Sequence, residues 1–231
     1  MGLRTPFGPT RPARPDTATF GGTAGTVTLG TSVGALGLVF NTTGYAIAGS
    51  STLTLGTGGI NASALTSGTT TISAPIALAG AQSWNVGSGA TLAVSGGVSG
   101  AFALTKSGSG TLALAGSNSY SGATAISAGT LAFQGSSAMS TSSALSMSTG
   151  ATLSLQSDTT ATFTPASFAA LTAAGTYNFS VASVAGSATG NTLSIMAPAS
   201  GGTAAQFQHH HQRQRHLGCR LRLEIYYGLS I

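Results

Sequence analysis

Along most of this chain, apolar and small polar residues alternate. At 110–114 the sequence reads GTLAL, which sends Leu112 and Leu114 to one face of an extended segment and Thr111 and Ala113 to the other. The same unit of Thr, apolar, small, apolar recurs. It begins at Thr52 (TLTL), Thr91 (TLAV), Thr111 (TLAL), Thr130 (TLAF), Thr152 (TLSL) and Thr192 (TLSI), at intervals of 39, 20, 19, 22 and 40 residues. Weaker copies at Thr71 (TISA) and Thr176 (TYNF) divide the two long intervals, and Thr26 (TVTL) precedes them all. Nine units at a spacing near twenty are the signature of a repeat architecture.

A second column runs ahead of the first. Trp84-Asn85-Val86, Leu145-Ser146-Met147 and Thr124-Ala125-Ile126 each precede a Gly-containing turn and a Thr-Leu pair. Each unit therefore holds two alternating strands joined at a corner. Gly110, Gly129 and Gly150 supply the left-handed or tight backbone such a corner needs. No apolar stripe at helical spacing is sustained anywhere. One unit of this size cannot bury its apolar face alone, but stacked units can. The pattern predicts an all-β chain folded as a parallel β-helix of about 20-residue coils. Nine coils would make a rod of roughly 40 Å at the spacing between strands. A β-sandwich is the competing architecture, and the scarcity of Asn-Gly and Asp-Gly turns argues against it.

Composition narrows the functions available. Only 5% of the 231 residues are charged, and between Thr17 and Ala205 the charged residues are Lys106 and Asp158. The net charge of +5 thus describes the two ends. A nucleic-acid surface needs lysines and arginines along one face, so the body is not expected to bind nucleic acid. No apolar run is long enough for a membrane-spanning helix, and insertion by this segment is not expected. The apolar fraction of 42% is rich in alanine and only 6% of residues are aromatic, which suits a thin, regular core of small residues.

The run LTKSGSGTL at 104–112, followed by NSYSGAT at 118–124, Ile126 and AGTL at 128–131, resembles the autotransporter-associated β-strand repeat. That family's pattern is approximately L-x-K-x-G-x-G-T-L, then N-x-Y-x-G-x-T-x-I-x-x-G-T-L. One full copy covers 104 to about 135, and the flanking units are looser relatives. Residues 16–49 also resemble the openings of passenger regions in large bacterial surface proteins. The resemblance implies a secreted, right-handed β-helical passenger, often exported through a C-terminal outer-membrane barrel. Such a stalk holds up an adhesive or enzymatic tip, or forms part of the outer coat. Its expected location is the cell surface or the extracellular space. The N-terminus lacks the apolar region of a secretory signal and no barrel strands follow the repeats, so the chain reads as a piece of a larger protein.

Domain boundaries follow from composition. Residues 1–16 are a basic, proline-rich leader, 17–205 are the repeat domain, and 206–231 are a His- and Arg-rich tail expected to be disordered or out of frame. A metal site from His209, His210, His211, His216 and Cys219 lacks the second ligand pair of structural zinc, so none is expected. The abrupt change after Gln206 suggests a shifted reading frame, which resequencing the locus would test.

Catalysis is not expected either. Glycoside cleavage generally uses two carboxylates, and the body has Asp158 alone. No histidine precedes His209 to complete a serine triad, and Lys106-Ser107 lacks the glycines of a phosphate loop. Trp84 and Tyr120 are candidate glycan platforms, but an inward core position for Trp84 and a corner for Tyr120 fit the pattern better. A flat threonine rank of the ice- or mineral-binding kind breaks where its second place becomes Ala93, Ala113, Ala132 and Ser154. The sequons at Asn41, Asn61 and Asn178 are chance occurrences in a Ser/Thr-rich chain.

The sequence therefore predicts a structural or adhesive stalk fragment with no catalytic, cofactor or metal residues. Its ligand, a cell-surface, matrix or glycan partner, is unidentified, and its strand edges invite edge-to-edge self-association. The alternatives are a glycan-binding or glycan-acting β-helix whose active residues lie in missing parts, and a truncated frame with no function of its own.

Overall fold

The computed structural model describes residues 16–140 and 144–158. Beyond them it describes short strands at Ala161–Phe163, Ser167–Phe168, Asn178–Ala182, Thr192–Ile195, Pro198–Ala199, Gln208–His209, Arg220–Leu221 and Tyr226–Tyr227. The strands stack in parallel as a β-solenoid. One wall runs through Thr17–Phe20, Val33–Phe40, Leu53–Ala62, Gln82–Val86, Leu104–Ser107, Thr124–Ile126, Ala144–Met147 and Ser167–Phe168. The second runs through Thr26–Thr28, Ala46–Ala48, Gly68–Ile72, Ala90–Val94, Thr111–Leu114, Thr130–Gln134, Thr152–Gln156, Asn178–Ala182 and Gln208–His209.

A third, shorter wall closes each coil. Residues 33–35 pair with 53–55, these with Ile76–Leu78, and these in turn with Val98–Ser99. Val33–Phe40 therefore spans two walls, with its register shifting between Ala35 and Gly37 where the chain rounds the corner. Farther along, Ala161–Phe163, Thr192–Ile195 and Arg220–Leu221 form their own parallel ladder, and Ala161–Phe163 packs on the 3-10 turn Ser136–Ala138.

Alternation fills the interior. In the second wall Leu92, Leu112, Leu131 and Leu153 form one buried column, and Val94, Leu114, Phe133 and Leu155 form the next. Each leucine removed from water contributes about 1.5–3 kcal/mol. The paired GTLA segments at 110–113 and 129–132 are neighbouring coils, with Leu112 directly over Leu131.

Some assignments of the repeat differ in the structure. TLTL from Thr52 lies in the third wall, where Leu53 pairs with Val33 and Ile76, and the second-wall strand before it is Ala46–Ala48. The copy placed at Thr71 begins at Thr69, which pairs with Thr91. The copy placed at Thr176 begins at Asn178, which pairs with Thr152. Thr192 belongs to the ladder with Ala161–Phe163. In the first wall Trp84 stands in register with Lys106, Ile126 and Met147, two residues from the place expected beside Leu145. At Thr71, Thr176 and Trp84 the cause is a slip of two residues, which keeps every side chain on its own face and so leaves the alternation unchanged. The copies at Thr52 and Thr192 lie in other ladders that share the same alternation.

Candidate functional site

The lysine, asparagine and tyrosine of the repeat turn toward the solenoid's own interior. Leu104 and Lys106 face inward from Leu104–Ser107, and Lys106 is fully buried between Trp84 and Ile126 in the interior column. Its Nζ reaches the corner between the first and second walls. There it donates to the carbonyls of Ser107 (2.8 Å), Gly108 (2.7 Å) and Ala128 (3.2 Å), so one ammonium ties two successive coils. Burial pulls its pKa down from 10.5 to about 8.

At the third wall the repeat has no strand at 118–120, and side-chain bonds supplement the backbone bonds from Ser119 to Val98 and Ser121 to Gly100. Asn118 Oδ1 accepts from the N–H of Val98 one coil before (2.8 Å), and its Nδ2 donates to the carbonyl of Ala138 one coil after. Its own N–H donates to the carbonyl of Ser137 (3.1 Å). Tyr120 is wholly buried, with its hydroxyl 2.8 Å from Thr124 Oγ1. Burial pushes its pKa up to about 12, against the opposing effect of the Thr124 bond. Gly122 is required by contact, since a Cβ there would collide with the backbone at Phe102 and Ala103. Gly129 holds φ +64°, while Gly110 keeps an ordinary φ and makes room for the Gly87 carbonyl.

Trp84 is also interior. It donates through Nε1 to Gln82 Oε1 (2.9 Å), and Gln82 Nε2 donates to the Leu55 carbonyl (2.6 Å). Neither Trp84 nor Tyr120 presents a ring to solvent. Asp158 is exposed just past Thr152–Gln156, whereas Asp16 lies before the first strand. The two carboxylates stand toward opposite ends of the described stack. Among the described residues, no group of three His, Cys, Asp or Glu side chains converges. His210, His211, His216 and Cys219 lie outside the described residues, and His209 is described only as the strand partner of Phe179.

The outer face of the second wall is regular where the interior is busy. Thr69, Thr91, Thr111, Thr130 and Thr152 stand in one unbroken column, half-buried except for exposed Thr69. Beside them run Thr71, Ala93, Ala113, Ala132 and Ser154, so the second file lacks hydroxyls at its three alanines, as the sequence indicated, and Ala113, Ala132 and Ser154 are buried. Gln134 Nε2 donates to Gln156 Oε1 (3.0 Å) and extends the ladder sideways. No helix among the described residues is long and apolar enough to cross a membrane.

These features coincide with a known repeat. The profile of the passenger-associated-transport-repeat matches residues 104–133. The chain is also 36% identical, over 138 residues or 60% of its length, to the adhesin BmaC autotransporter of Brucella suis biovar 1 (strain 1330). That match covers 3% of the adhesin, so the chain corresponds to a small part of its relative. No solved structure matches it.

Proposed function

We propose that the chain is a stalk segment of a bacterial surface adhesin, a reading supported by the match of residues 104–133 to the passenger-associated-transport-repeat and by the parallel β-solenoid. It acts by shape and surface, without catalysis. One observation carries this reading. The repeat's lysine, asparagine and tyrosine are all buried and hydrogen-bonded within the stack, which leaves on the second wall's outer face half-buried threonines and glutamines beside the buried Ala113, Ala132 and Ser154. Among the described residues, a surface with so few charges and no converging carboxylates suits spacing and broad contact.

The relative's adhesive role and the repeat's association with transported passengers support a location outside the cell in the parent protein. The ligand is a cell-surface, matrix or glycan component. Beads coated with the full chain are expected to be retained on epithelial monolayers or matrix-coated surfaces above albumin-coated beads. Retention equal to albumin would remove the adhesive part of the proposal and leave a spacer. Release of reducing ends from a polysaccharide panel would contradict the proposal as a whole.

A further inference from the structure

Asn-x-Ser/Thr tripeptides begin at Asn41, Asn61 and Asn178. Composition accounts for their number, but the fold does not treat them alike. Asn61 is the last outward residue of Leu53–Ala62. Inward Ile60 and Ala62 flank it, and it stands exposed between Val39 and Asn85 in the outer file of the first wall. Five residues, 63–67, then separate Ala62 from Gly68, whereas three, 87–89, separate their partners Val86 and Ala90. The corner after Asn61 is thus the longer one, and Ser63, Ala64, Thr66 and Ser67 are exposed on it.

There the chain folds back on the asparagine. Ser63 donates to Asn61 Oδ1 twice, through its backbone N–H (3.1 Å) and through its hydroxyl (2.7 Å). The amide oxygen is therefore engaged, and among the described residues nothing accepts from Nδ2. At Asn41 the corresponding hydroxyl is turned away. Thr43 Oγ1 is buried and has no hydrogen-bond partner among the described residues. Asn178 is described only as a strand residue paired with Thr152 and Gln208.

That difference bears on reactivity. An amide nitrogen is a poor nucleophile because its lone pair is shared with the carbonyl. Withdrawing a proton from Nδ2 frees the pair and places negative charge on Oδ1. Two donors already aimed at that oxygen stabilise the charge, as those of an oxyanion hole do. We propose that Asn61 is a glycosyl-acceptor site. Its Nδ2 bonds to the anomeric carbon of a sugar held as a diphosphate ester. The carbon–oxygen bond to phosphate breaks, and its electron pair leaves with the diphosphate. The Nδ2 proton passes to a base of the transferase, and nothing is oxidised or reduced. A glycan at this place projects from an exposed wall, where its bulk displaces no core residue and adds solubility. The inference stands apart from the adhesive reading, since it needs only an accessible wall and a sugar donor.

Peptide mass mapping of the parent protein recovered from the cells that make it is expected to find a glycan on Asn61 and a bare Asn41. A single hexose identifies a nucleotide sugar as the donor, and a larger block identifies a lipid-linked oligosaccharide. Ser63→Ala should lower occupancy at Asn61 by about tenfold or more, and Ser63→Thr should keep it. Both variants should retain the β circular-dichroism spectrum, because residue 63 lies on an exposed corner. A bare Asn61, equal occupancy at Asn41 and Asn61, or full occupancy in Ser63→Ala would each overturn the inference.

Discussion

Asn118 is the residue on which the third wall of the repeat depends. It stands between the strand Val98–Ser99 of the preceding coil and the 3-10 turn Ser136–Ala138 of the following one, and its amide supplies an acceptor to the first and a donor to the second. Asn118→Ala would strand the buried N–H of Val98 and the carbonyl of Ala138, and is expected to cost about 1–3 kcal/mol in chemical denaturation. Lys106 gives a second, pH-dependent test. Its folded pKa of about 8 lies below the ordinary 10.5, so above pH 8 the folded state releases the proton before the unfolded chain does. Stability should therefore rise as pH climbs from about 8 to about 10.5. A urea midpoint that increases over this range, and a Lys106→Met variant without that slope, would bear this out. The lysine was legible in the sequence only as part of a pattern; its inward direction follows from alternation with Leu104, while its carbonyl partners depend on how the corner folds.

Strands were easier to find than to place. The inward identity of Leu112, Leu131 and Trp84 follows from the period of two, because a residue's face depends on parity alone. The true partner of each strand depends on corner length, which varies from coil to coil and leaves no mark on the alternation. Hence the alternation points to Thr71 and Thr176, where the ladder places Thr69 and Asn178. The third wall is hidden for another reason: Ile76–Leu78 and Val98–Ser99 are too short to show a period, and at 118–120 the chain forms no strand, Asn118 adding side-chain bonds to the backbone ones. The two faces should differ sharply in energy. Leu112→Ala opens a cavity between Leu92 and Leu131 and is expected to cost about 2–5 kcal/mol. Thr111→Ala, on the half-buried outer face, should cost less than about 1 kcal/mol by the same denaturant midpoint.

For the molecule as a whole, the candidate site was legible mainly by exclusion. A body with one lysine and one aspartate between Thr17 and Ala205 offers little chemistry, and folding buries the lysine. What the sequence could not convey is the outer surface, since the threonine column from Thr69 to Thr152 exists only once coils of unequal length are stacked in register. That stacking can be trapped chemically. Adjacent parallel strands lie about 4.8 Å apart, within disulfide reach for residues on the same outer face. In a Cys219→Ser background, Thr111→Cys with Thr130→Cys should oxidise readily to an intramolecular disulfide. Thr105→Cys with Ala113→Cys, which a hairpin between the two strands would bring together, should remain reduced because the solenoid sets them on different walls. Cross-linking of the second pair and not the first would contradict the parallel solenoid, and with it the stalk.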